Sequence, residues 1–125
     1  MQSDPLAIQW QEEDAMQFEV KKNGDATILK IKERKLDASV SPELKGEFLV
    51  LCNRHTQNLV VDLSDVEFCD SSGLSALLIA ERKMRENGGV VKLAGLQKKV
   101  LALIRISRLD RAFRIHDTVA KALRA

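Results

Sequence analysis

Asp70-Ser71-Ser72-Gly73 follows the apolar run Leu59-Val60-Val61-Asp62-Leu63 and opens the amphipathic stretch Leu74 to Met84, so two hydroxyls fall at the start of a predicted helix. Free N–H groups and the positive end of the helix dipole hold anions at such a place, and Asp and Ser are strong cap residues. The chemistry that suits it is attachment or binding of a phosphate. The same four residues also suit an ordinary helix cap with no ligand.

Other constellations are weaker. A nucleophile elbow needs glycines on both sides of its serine, whereas only Gly73 is present here and Asp70 stands on the other side. His55 and His116, the only histidines, read as loop and strand-end residues rather than as a triad base. Asp62, Asp65, Glu67 and Asp70 lack the glycine and bidentate glutamate of a calcium loop. Asp70-Ser71-Ser72-Gly73 also lacks the lysine of a P-loop, and Gly88-Gly89 reads as a helix end. No metal, no cofactor and no catalytic activity are expected.

The elements that must carry this site follow from periodicity. Residues 1–15 hold Pro5, scattered Leu6, Ile8 and Trp10, and an acidic triplet, with no sustained period. They read as an arm before a domain spanning residues 16–125. Met16, Phe18 and Val20 alternate with polar residues, Asn23-Gly24-Asp25 supplies a turn, and Thr27 to Ile31 resumes the strand pattern, which makes a hairpin. Ser41-Pro42 reads as a cap followed by proline at the first helical position, with Leu44, Phe48, Leu51 and Cys52 on one face. Leu59 to Leu63 reads as a central strand covered on both faces.

A helix over residues 72–86 follows, with Leu74, Leu77, Leu78 and Met84 inward and Gly88-Gly89 closing it, and then the strand Val90 to Leu93. Strand, helix and strand at these separations predict a right-handed parallel crossover. Leu96, Val100, Leu103 and Ile104 mark another helix, Phe113-Arg114-Ile115 a strand, and Asp117-Thr118 the cap of a last helix bearing Val119 and Leu123. The predicted fold class is α/β, a mixed sheet with packed helices in the order β-β-α-β-α-β-α-β-α.

Composition agrees with one such domain. The 125 residues are 45% hydrophobic and 30% charged, enough for a core without disulfides or metals. Basic residues outnumber acidic ones by only 20 to 18, which gives no whole-molecule case for nucleic acid; the C-terminal cluster of Lys98, Lys99, Arg105, Arg108, Arg111 and Arg114 reads as a solvated face. Cys52 and Cys69 sit in apolar surroundings and read as free buried thiols in a reducing compartment. With no apolar run of membrane-span length and no signal pattern, the chain reads as cytoplasmic.

The stretch from Val60 through Asp70-Ser71-Ser72-Gly73 to Leu74 closely resembles the signature of the STAS family, which includes bacterial anti-sigma factor antagonists. The resemblance runs from about Phe18 to Leu123. Leu36-Asp37 before a helix is similar to the family's Leu-Asp loop, Gly88-Gly89 precedes the matching strand, and Leu109 to Ile115 resembles the approach to the family's final strand. Two positions depart from the pattern: Arg34-Lys35 stands where a glycine-acidic pair is common, and Arg108 stands where a glycine is common near the end of the third helix.

The resemblance implies a phosphorylation-switched binding module rather than an enzyme. Ser71 is then the phosphoacceptor, an ATP-dependent anti-sigma factor serine kinase is the partner, and a phosphatase resets the switch. The implied partner surface joins Lys35, Leu36 and Asp37, with Arg34 beside them, to Asp70, Ser72, Gly73 and Leu74, with Gly73 permitting close approach of the kinase. Asp37 also has a purely structural reading, as a cap for the following helix. The alternative to the switch is a constitutive subunit of a scaffold or a lipid-transport complex, using the same surface without phosphorylation.

Overall fold

The computed structural model describes residues 15–125. The arm expected over residues 1–15 therefore lies almost wholly outside the described residues. In chain order the elements are β1 (Phe18–Asn23), β2 (Ala26–Ile31), β3 (Lys35–Leu36), α1 (Ser41–Leu51), β4 (Asn58–Asp62), β5 (Phe68–Cys69), α2 (Ser71–Glu86), β6 (Val90–Ala94), α3 (Lys98–Ile106), β7 (Arg114–His116) and α4 (Val119–Arg124), with a 3₁₀ turn at Leu109–Arg111.

Five strands form a mixed sheet in the order β1-β2-β4-β6-β7. β1 and β2 pair antiparallel as the expected hairpin, and Gly24 supplies the positive φ of +61° in its turn. The remaining pairs, β2 with β4, β4 with β6 and β6 with β7, are parallel, so β4-α2-β6 is the expected crossover.

Alternation along the strands divides the core. Leu29, Ile31, Leu59, Val61, Val91 and Leu93 face α1, α2 and α3, meeting Leu44, Phe48, Leu77, Met84 and Ile104. The opposite face carries a small cluster in which Ala122 of α4, flanked by Val119 and Leu123, packs with Val60 and Ala94. Lys92 is buried on that face and donates from Nζ to the carbonyls of Ala122 and Ala125, at 3.0 and 2.9 Å, which fastens the end of α4.

Four local expectations need correction. Ser41 is not the cap of α1; Val40 is, with no side-chain bond, and Ser41 and Pro42 are the first helical residues. Ser41 is buried, and its hydroxyl is used in tertiary packing instead. Leu96 precedes α3, and Phe113 is buried just before β7 rather than within it. The short parallel pair β3-β5 was not expected, because two-residue strands carry no periodicity; its register is Lys35 opposite Phe68 and Leu36 opposite Cys69.

Candidate functional site

The site is built where β3-β5 meets the start of α2. Asp70 is the N-cap, extended at φ −115°, and its Oδ1 accepts from the amides of Ser72 at 2.8 Å and Gly73 at 3.2 Å. Leu74 N donates to the Asp70 carbonyl at 3.0 Å. The helix start expected to hold an external anion is thus already filled by the chain's own carboxylate. The cap residue is Asp70, with the serines inside the helix, so Ser71 is exposed on the first turn and Ser72 is half-buried. Among the described residues the Ser71 hydroxyl has no hydrogen-bond partner.

β3 locks this turn from the other side. Asp70 N donates to the Leu36 carbonyl at 3.2 Å, and the Arg34 carbonyl accepts from Glu67 N and Phe68 N at 2.8 and 3.1 Å. The Arg34 guanidinium adds a two-pronged contact to the Glu67 carboxylate, at 3.0 and 3.1 Å. That hydrogen bond and charge hold Glu67 below its ordinary pKa and Arg34 above its own, although both side chains are solvated.

Gly73 is needed by this junction itself. A Cβ there would run into the Leu36 backbone carbonyl and lie 2.8 Å from Cys69 Sγ and 2.9 Å from Leu36 Cβ. Leu36 is fully buried and Leu74 nearly so. Leu36, Gly73 and Leu74, all expected in the partner surface, therefore shape it from beneath and present no side chain to a partner. Lys35 and Asp37 are on the outside, exposed and half-exposed.

Asp37 builds the turn that leads into α1. Its Oδ1 accepts from Ser39 Oγ at 2.6 Å and from Ser39 N at 3.0 Å, and its carbonyl accepts from Val40 N and Ser41 N. The Ser39 bonds hold the Asp37 carboxyl below the usual carboxylate range. Asp37 therefore has a structural role, but in the turn before α1 and not as the cap expected for it, and its side chain remains partly exposed.

Two grooves flank this loop. One, of about 650 Å³, is bordered by Arg34, Lys35, Asp37, Val40, Glu67 and the half-exposed Phe68. The other, of about 370 Å³, runs between α1 and α2 and is bordered by Ser41, Pro42, Lys45, Ser71, Ser72 and Ser75. Ser41 Oγ closes its floor by donating to the Ser72 carbonyl at 3.0 Å. Asp37 and Ser71 thus open onto adjoining grooves. Sequence reading missed Phe68, the Arg34–Glu67 pair and Lys45; only Lys45 had a usable signal, its spacing of one turn from Ser41.

The remaining candidates are quiet. Cys52 and Cys69 are free and buried, and desolvation pushes their thiols up to about 11 and about 12. Neither is a nucleophile near neutral pH. Among the described residues no group of His, Cys, Asp and Glu could hold a metal ion, and no helix is long and apolar enough to cross a membrane.

The comparison with known proteins agrees with this architecture. The family model of the STAS domain matches residues 17–122, and the chain belongs to that family. A candidate anti-sigma factor antagonist of Thermotoga maritima is 31% identical over 77 residues, a match spanning 62% of this chain and 66% of that relative. The matched region is thus just under two thirds of the relative's length. A crystal structure of a protein of that description from the same organism has a TM-score of 0.77 at 27% identity, covering 86% of this chain and 92% of the other. The Bacillus cell fate determinant SpoIIAA in its phosphorylated form superposes with a TM-score of 0.67 at 14% identity, covering 86% of this chain and 97% of the other, which shows a shared fold.

Proposed function

We propose that this chain is an anti-sigma factor antagonist: a protein-binding module, not an enzyme, whose grip on an anti-sigma factor is switched by phosphorylation of Ser71. The observation that carries the reading is the state of three neighbouring residues. Ser72 is half-buried with its amide and carbonyl bonded to Asp70 and Ser41, and Gly73 is packed against β3, while Ser71 carries its unbonded hydroxyl exposed on the first turn. The family match and the description of the Thermotoga relative support an anti-sigma factor as the partner.

The partner would be an ATP-dependent serine kinase, with a phosphatase to reset the switch. Asp70, Ser71 and Ser72 would meet it together with Lys35 and Asp37 across the two adjoining grooves. Phosphate adds about −1.5 to −2 charges at neutral pH, which a surface matched to a neutral hydroxyl cannot desolvate. Like-charge contact at an interface costs several kcal/mol, on the order of a 10²-fold loss of affinity or more.

The test is incubation with the anti-sigma factor and ATP, location of the phosphate by mass spectrometry, and calorimetry on two variants. Phosphate on Ser71, near-native binding by Ser71→Ala and loss of binding by Ser71→Asp are expected. Phosphate elsewhere, or equal binding by both variants, would overturn the reading in favour of a constitutive subunit.

A further inference from the structure

A phosphate on Ser71 would arrive at a helix start whose next three amides are already taken. Asp70 Oδ1 already takes the amides of Ser72 and Gly73, and the amide of Leu74 is bonded to the Asp70 carbonyl. The new dianion would also stand one residue from the Asp70 carboxylate. Repulsion between them calls for a cation, and the helix dipole is already offset by the cap.

The groove between α1 and α2 supplies one. Ser41 and Lys45 are one turn apart on α1, and Ser71 and Ser75 one turn apart on α2, so each pair shares a face. The Ser41–Ser72 hydrogen bond holds the two helix starts together at one end, and Lys45 borders the same groove as Ser71 and Ser75. Lys45 is half-buried, and among the described residues it has no ion pair or hydrogen bond. Glu43, an acidic neighbour on α1, accepts from Met16 N at 2.9 Å. Asp70 adjoins Ser71 in the chain, and among the described residues bordering this groove Lys45 is the charged one.

We propose that Lys45 is the counter-ion of phosphorylated Ser71, drawing the phosphate into the groove between α1 and α2. The inference rests on the Ser71 reading above and adds what the modification does to the surface. In the unmodified protein Lys45 presents a free ammonium beside the acceptor serine, available to a carboxylate of the partner. After phosphorylation that ammonium is engaged within the chain. The partner then meets an anion and loses a cation at the same place.

The experiment uses full-length protein carrying phosphoserine installed at position 71 during translation, so that no kinase is needed. Phosphorus NMR follows the second ionisation of the phosphate in the native chain and in Lys45→Met and Lys45→Arg. A cation in contact stabilises the dianion, so the native midpoint should lie about half a unit below that of Lys45→Met, a roughly threefold change in proton affinity. Lys45→Arg should keep the low midpoint, and added salt should shrink the difference. Coincident titrations of native and Lys45→Met, or an arginine variant that titrates with the methionine one, would overturn the proposal. Thermal melts of all three confirm that the folded protein is being read. The Ser71 reading fails by a different result, the absence of phosphate on Ser71 in protein exposed to its anti-sigma factor and ATP.

Discussion

Replacing Gly73 with alanine tests whether the junction of β3, β5 and α2 is as tight as its geometry implies. Two effects oppose each other. Alanine is favoured over glycine inside a helix by about 1 kcal/mol, and the backbone of Gly73 does not have a positive φ that would forbid it. Against that, the added methyl meets the Leu36 carbonyl oxygen, with Cys69 Sγ and Leu36 Cβ also inside 3.0 Å. The first of these is backbone, and it accepts the Asp70 amide, so it cannot withdraw without breaking the link between β3 and the cap. Overpacking of this kind costs about 1–3 kcal/mol, and a clash with bonded backbone belongs at or above the upper end. The net expectation is a loss of about 2 kcal/mol, or a fall in Tm of roughly 6–10 °C.

Urea unfolding measures it, with an unchanged m-value showing that the two states compared are the same. Gly46 is the internal control. It lies within α1, exposed, with nothing within 4 Å of a Cβ, so Gly46→Ala should gain about 0.5–1 kcal/mol. Opposite signs at the two helix glycines are the predicted result. A Gly73→Ala protein as stable as the native one would refute the reasoning and return Gly73 to the role of admitting a partner.

Arg108 holds φ +60° and ψ +23° after α3, so Arg108→Gly should relieve left-handed strain and raise stability by about 1 kcal/mol in chemical denaturation. Ser39→Ala removes the hydroxyl whose hydrogen bond chiefly holds the Asp37 carboxyl low, and the midpoint of that carboxyl in an NMR pH titration should shift upward toward the ordinary value. Because the folded pKa is the lower one, the stabilisation from this bond is present above the unfolded carboxylate pKa and is lost as pH falls through the folded value; the variant should therefore show a weaker acid-side decline.

Much of the architecture is legible in the chain because it rests on local rules. Leu59 to Leu63 reads as a buried strand whatever surrounds it, Asn23-Gly24-Asp25 demands a turn, and a strand, a helix and a strand at those spacings admit little besides a right-handed parallel crossover. Asp70-Ser71-Ser72-Gly73 was visible as a cap for the same reason. The use made of each residue was not. Ser41 looks like a cap by type, but its hydroxyl reaches the Ser72 carbonyl of another helix.

Gly73 looks like room for a visitor, but β3 of the same chain fills it, and β3 is too short to announce itself by any period. The helix start looks open to an anion until Asp70 folds back over its amides, and the cation in the adjoining groove, Lys45, comes from a helix that only packing brings alongside. Residue type and spacing determine which elements form, since backbone hydrogen bonding and side-chain period are local. Tertiary structure alone decides which donors remain free and which charges face one another, because those depend on contacts between segments far apart in the chain.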